Sequence, residues 1–266
     1  MEITVWQFVG ALLLIAFPLY IMYIFRIRQL GKAVRALVKT IFGALLLGIC
    51  LHYVVLWNQP VVTLLFVCLL IVCSSAIIVR RAKLELRQML LPVIAGISIA
   101  VLTVGFYFLL LIAEPANLLS ARFLVPVAGL LLGHIIMTNS RALHIYYMGL
   151  RHHALLYRYL LGNGATHTEA LDYLMRRAIQ QTALLGIAYM GLLTILVSPV
   201  VLWSMILSGV AIVTAVACQL LIVVAMFCAS MLSVVVTLII SRRYLLDDYS
   251  RLKKPTAPST ESTENQ

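Results

Sequence analysis

Charged side chains are scarce in this sequence. Only 11% of the 266 residues are Asp, Glu, Lys or Arg, and 63% are hydrophobic. A typical soluble domain carries about 25% charged residues. One soluble core could not bury so many apolar side chains, so the composition argues against an ordinary soluble domain. It predicts an all-α, polytopic integral membrane protein.

Acidic residues are the rarer of the two signs of charge. The chain has 9 Asp and Glu against 20 Lys and Arg, which gives a net charge of +11. In a soluble protein this balance would suggest a nucleic-acid partner. In a membrane protein, basic residues mark cytoplasmic loops and meet anionic lipid, so we expect a lipid bilayer and no nucleic acid.

Several sequence motifs of enzymes and metal sites are missing. The chain has no GxxxxGK[ST] run for nucleotide binding and no HExxH, and its five cysteines form no CxxC pair. We therefore expect no disulfide framework, no metal site, no cofactor and no catalytic residues. The first apolar stretch lacks a preceding basic region and a small-residue cleavage site, which favours a transmembrane helix over a signal peptide.

Apolar runs long enough to cross a membrane predict about seven spans. An N-terminus outside and a C-terminus in the cytoplasm would put every basic residue except Arg122 inside. We expect one permease domain over 1–250 and a disordered cytoplasmic tail over 251–266. The segment 198–209 is predicted to be a short interfacial or re-entrant element, or else a kink at Pro199. The seven predicted spans are 4–25, 40–57, 60–79, 89–113, 123–140, 178–198 and 211–241.

The one long predicted cytoplasmic loop, 141–177, contains the polar stretch GNGATHTEALDYLMRRA. Gly162 and Gly164 suit the left-handed turn that ends a helix. Thr166 to Glu169 form a capping box that begins a new amphipathic helix. Such a helix beside the bilayer is either a solvated connector or a docking element that carries force from a soluble partner into the spans.

The stretch LLGNGATHTEA, residues 160–170, resembles the LxxGAT-x-x-x-A loop of ABC-transporter permeases. It is most similar to the FetB-type family of iron-export permeases, which includes plant proteins linked to aluminium tolerance. The departures from the family are Arg158 in place of an acidic residue, His134 in place of an asparagine and Val200 in place of a glycine. The other matching positions, in order, are the segment PVAGLLLG from Pro126 to Gly133, then Arg176, Pro199, Gly209, Gln219, Arg242 and Arg243.

This resemblance implies the permease subunit of an ABC exporter in the bacterial inner membrane. A separate ATPase would bind beneath a permease homodimer and drive alternating access through segment 158–177, and the cargo could be a metal ion such as iron. The alternative is a non-ABC seven-span binding or scaffold protein, or a facilitator. The residues predicted to couple to the ATPase are Arg158, Gly162, Gly164, Ala165, Thr166, Glu169 and Arg176.

The predicted substrate pathway uses uncharged polar residues, because no Asp, Glu, Lys or Arg falls in the middle of a predicted span. A polar residue inside a membrane indicates either a functional role or a hydrogen bond between helices. Both interpretations stay open for the imidazole and amide side chains. The predicted pathway residues are His134, Asn139, Gln219, Pro126, Gly133 and Pro199.

Overall fold

The structure is a computed structural model that describes residues 16–25, 30–112, 120–152, 162–164, 167–195 and 200–245. All regular secondary structure in these ranges is helical, which confirms the all-α prediction. The chain divides into two compact units, Met1–Trp57 and Asn58–Gln266. The predicted tail, 251–266, lies outside the described residues.

The first unit contains two described helices, α1 (Ala16–Ile24) and α2 (Leu30–Trp57). The sequence predicted a span that begins at 40, but α2 begins at Leu30. The earlier start brings Lys32, Arg35 and Lys39 into the helix. Long basic side chains are good helix formers, so they interrupt the apolar run without ending the helix.

The second unit begins with an antiparallel pair, α3 (Pro60–Arg81) and α4 (Leu86–Ala100). Proline suits the first turn of a helix, where its missing N–H is not needed, and this fixes the start of α3. Two hydrogen bonds close the other end, from Leu84 N to Val79 O and from Lys83 N to Arg80 O, both 3.1 Å. Lys83 takes the left-handed position of this Schellman turn, with φ 58°.

The apolar segment after α4 includes one wider turn. A π-helical segment, Val101–Gly105, joins α4 to α5 (Phe106–Ile112). The remaining helices are α6 (Ala121–His152), α7 (His167–Ile195), α8 (Val200–Leu207) and α9 (Ile212–Leu245). Helix therefore occupies both ends of the predicted loop 141–177, and a short helix occupies most of segment 198–209.

Helix α9 lies at the centre of the second unit. It packs against α4, α6, α7 and α8, while α3 packs against α4 and α6. Ile97 of α4, Ile135 of α6 and Leu238 of α9 are fully buried. Hydroxyl side chains share the buried face of α9, and small residues of this kind let helices approach closely inside a membrane. The buried hydroxyl residues of α9 are Ser230, Ser233, Thr237 and Ser241.

Five helical stretches among the described residues are long and apolar enough to cross a membrane. The protein is therefore a multi-pass membrane protein, as predicted. The count of seven and the orientation remain predictions. Span 4–25 is described only from residue 16, and span 178–198 is described only to residue 195, within α7, which is not among these five stretches. The five stretches are Gly31–Trp57, Pro60–Arg81, Leu86–Leu111, Ala121–Leu150 and Ile212–Arg242.

Candidate functional site

Helix α7 begins three residues after Gly164. Gly164 has φ +85°, the left-handed conformation that glycine adopts without strain. The helix then starts at His167 and continues without a break to Ile195. The predicted amphipathic segment and the predicted sixth span are thus parts of one helix, with Glu169 in its first turn.

The first turns of α7 are amphipathic, as the sequence predicted. Leu171, Leu174 and Ala178 are buried, with at most 4% of each side chain exposed. A Cβ atom added at Gly149 of α6 would lie 3.3 Å from Leu174 Cδ2, so the two helices approach closely here. Tyr173 on the opposite side is 52% exposed. The apolar stripe therefore docks on the protein, and the polar face stays open.

An ion pair connects the same turns of α7 to the end of α9. Arg242 Nη1 donates a hydrogen bond to Asp172 Oδ1 at 3.0 Å. Helical spacing puts Asp172 on the same face of α7 as Glu169 and Arg176, opposite the apolar stripe. The available signal was that Asp172 and Arg242 carry opposite charges near the cytoplasmic ends of the predicted sixth and last spans.

Farther along, α7 meets α6 and α9 again. A Cβ atom added at Gly186 would lie 2.8 Å from Phe227 Cε2 of α9, so only glycine fits without a shift of the ring. The rings of Tyr189 and His134 are 6.2 Å apart and nearly perpendicular, at 79°. His134 also lies beside the backbone of Met226. The predicted pathway residue His134 therefore stands where α6, α7 and α9 meet.

Asn139 lies deeper in the contact between α6 and α9. Its Nδ2 donates a hydrogen bond to Ser233 Oγ at 2.7 Å, and the Asn139 side chain is fully buried. Asn139 Oδ1 and His134 Nδ1 have no hydrogen-bond partner among the described residues, and neither has Thr237 Oγ1, where α9 faces Gly96 of α4. Each is able to accept a hydrogen bond. This part of the protein therefore holds polar atoms with spare hydrogen-bonding capacity.

Gln219 is a further buried polar residue of α9, 7% exposed. Its Oε1 also lacks a partner within the part of the chain that the structure describes. Helical spacing puts Gln219 on the same face as Met226, Ser233 and Thr237. The face of α9 that carries Gln219 is thus the one that meets His134 and Asn139 lower down the helix.

The other predicted site residues do not form part of this cluster. Pro126 and Gly133 lie on the exposed face of α6, and a Cβ at Gly133 would meet no described atom within 4 Å. Gly162, Glu169 and Arg176 are exposed at the α7 end. Four predicted residues fall outside the described ranges. They are Arg158, Ala165, Thr166 and Pro199.

The donor groups available to a metal ion are dispersed. Within the described ranges no group of three or more His, Cys, Asp and Glu side chains could hold a metal ion. The five cysteines are free thiols. The side chains that present buried polar atoms at this face of α9 include the imidazole of His134 and the amides of Asn139 and Gln219.

A search of curated proteins and a search of solved structures each found no match. A family model described as "Uncharacterised protein family (UPF0014)" matches residues 5–246. This range includes the α7 segment, the cluster around His134 and all five candidate membrane spans. Because the match covers nearly the whole chain, the protein belongs to the UPF0014 family, which is known as a family of ABC-transporter-like permeases.

Proposed function

We propose that the protein is the membrane-spanning permease subunit of an ABC exporter, driven by a separate ATPase through segment 158–177. The observation that carries this proposal is the continuity of α7 from His167 to Ile195. The helix begins with an exposed polar face at a glycine turn and ends beyond the cluster around His134. A partner that displaces its first turns would therefore move a helix of that cluster directly.

The contacts of α7 suit such a role. Leu174 packs beside Gly149, Gly186 packs beside Phe227, and Tyr189 meets His134. Because a helix is stiff along its axis, a tilt imposed at Leu174 changes the separation at Tyr189. Alternating access needs two arrangements of packed helices that ATP binding in the partner can favour in turn.

The substrate pathway is proposed to run past His134, Asn139 and Gln219. These side chains present neutral acceptors, which suit a cargo that brings its own positive charge or hydrogen-bond donors. Export of a metal ion such as iron, assembly as a homodimer and location in the bacterial inner membrane complete the proposal. These three points rest on the resemblance to FetB-type permeases.

Reconstitution tests the proposal. The chain is co-expressed with a candidate ABC ATPase subunit from the same genome, purified and inserted into proteoliposomes. We expect the two subunits to co-purify and radiolabelled iron to move only when ATP is present. Failure to co-purify, together with unchanged activity without ATP, would instead support a non-ABC scaffold protein or facilitator.

Gly164→Val tests the coupling turn within the same assay. Valine is strained at φ +85°, whereas asparagine tolerates the left-handed region, so Gly164→Asn is the matched control. We expect Gly164→Val to hydrolyse ATP with about tenfold less transport per ATP, a loss within the usual range of coupling energies. Normal transport by the valine variant would contradict a coupling role for this turn.

A further inference from the structure

The ion pair between Asp172 and Arg242 has no role in the proposal so far. Asp172 lies in the second turn of α7, inside the segment that is proposed to receive the ATPase. Arg242 lies three residues before the described end of α9 at Leu245. The pair thus joins the coupling segment to the end of α9, through two residues that are 70 positions apart in the sequence.

Stability alone does not account for this pair. The Asp172 side chain is 47% exposed and the Arg242 side chain 34% exposed. Ion pairs with this much solvent contact contribute little to folding, because water and salt screen them. The buried side chains of Leu171, Leu174 and Ala178 hold the start of α7 in place. The ion pair instead fixes the register of the two helices, since a hydrogen-bonded pair determines which turn of α7 faces which turn of α9.

The position of the pair decides what moves with α7. Near its start, the apolar stripe of α7 packs on α6 at Gly149, so that contact alone would carry motion into α6. The link to Arg242 adds a contact with α9, the central helix of the unit, at this end of α7, whereas Gly186 and Phe227 join the same two helices only farther along. Helix α9 is in turn packed tightly against Gly96 of α4. A displacement of Asp172 can therefore reach both α9 and α4.

We propose that Asp172 and Arg242 are a positioning pair that makes α9 follow α7 when the ATPase displaces the coupling segment. The pair acts through the helices and does not touch the cargo. This inference rests on the proposed function, because it needs a partner that drives α7. Its specific content is that the attraction between the two opposite charges, rather than either residue alone, couples ATP hydrolysis to transport.

A charge swap provides the test. The full chain and its ATPase are reconstituted as wild type, as Asp172→Asn, as Arg242→Gln, and as the double variant Asp172→Arg with Arg242→Asp. ATP hydrolysis and cargo transport are measured on the same vesicles. We expect each single variant to keep its hydrolysis and its melting temperature but to transport at least about fivefold less per ATP. We expect the double variant to recover most of the wild-type ratio.

Arg80→Gln is the matched control, since Arg80 is an exposed arginine at the end of α3, a helix that packs on α4 and α6. It should keep the wild-type ratio. An unchanged ratio in both single variants would overturn the inference, and so would a double variant as defective as the singles. The wild-type vesicles test the proposed function separately: if they fail to couple ATP to transport, the proposed function fails before any variant is compared.

Discussion

Helix α9 is held in two different ways on its two sides. Toward α4 the contact is close and leaves no room: a Cβ atom at Gly96 would lie 2.9 Å from Thr237 N and 3.1 Å from Ser233 O. Toward α6 and α7 the contacts are polar or aromatic, and His134 Nδ1 and Asn139 Oδ1 keep spare capacity within the described structure.

The two sides of α9 therefore suit different roles: the α4 side holds α9 in place, and the α6 and α7 side permits rearrangement. A backbone contact at van der Waals distance cannot slide without a clash, so the α4 side should behave as one body with α9. The α6 and α7 side relies on side chains that can exchange partners. We infer that α4 and α9 move as one body during transport. The side-chain contacts of α9 with α6 and α7 rearrange, while the Asp172–Arg242 pair keeps α9 moving with α7.

The largest expected effect comes from adding a methyl group to the close side. Gly96→Ala should lower the free energy of unfolding by about 1–3 kcal/mol, because the new Cβ would meet Thr237 Oγ1 and also Thr237 N and Ser233 O, which are backbone atoms of α9 and cannot rotate aside. Thermal unfolding in detergent measures the change. Gly129→Ala on α6 is the control, since a Cβ there meets no described atom within 4 Å. Equal stability of the two variants would contradict a closed α4 contact.

The hydrogen bond from Asn139 to Ser233 comes next in size. Asn139→Ala, Ser233→Ala and the double variant form a double-mutant cycle for this 2.7 Å contact. Hydrogen bonds between membrane helices couple by about 0.6 kcal/mol on average and reach about 1.7 kcal/mol. We expect a value in this range from chemical unfolding. A coupling energy of zero would mean that the Asn139 amide lies against α9 without stabilising the contact.

Gly186 gives a direct comparison with Gly96, because a Cβ at either glycine would lie less than 3.0 Å from an atom of α9, and only at Gly96 do these atoms include the backbone. At Gly186 the obstacle is the far end of the Phe227 ring, 2.8 Å away, which can turn. We expect Gly186→Ala to cost less than Gly96→Ala, below about 1 kcal/mol. Phe227→Leu should remove most of that cost. Equal costs in thermal unfolding would show that the α7 side is as rigid as the α4 side.

The sequence predicted helices around α9 but not the difference between the two sides of α9. Hydropathy located α3 closely, because Pro60 opens it and Arg80 and Arg81 close it. It placed the start of α2 at 40 instead of Leu30, since charged residues interrupt an apolar run without ending a helix.

The partners of the polar side chains could not be predicted. Lipid is as apolar as a protein core, so hydropathy does not tell which face of a span meets another helix. Asn139 and Ser233 are 94 residues apart, and Asp172 and Arg242 are 70 apart. The sequence singled out Asn139 and His134 as polar residues in a membrane, but Gly96, Gly186 and Asp172 matter through neighbours that only the fold supplies.

The smallest change in the free energy of unfolding is expected at His134, whose unpaired acceptor lies on the α6 and α7 side of α9. His134→Phe keeps a ring to pack at right angles on Tyr189 and removes both ring nitrogens, the unpaired Nδ1 acceptor and the hydrogen bond to the Met226 backbone. The free energy of unfolding should stay within about 0.5 kcal/mol of wild type, while transport in proteoliposomes falls several-fold. His134→Ala removes both ring and acceptor and should lower stability as well. If His134→Phe transports normally, the ring serves only to pack α6 against α7, and the spare acceptor on this side of α9 is not part of the pathway.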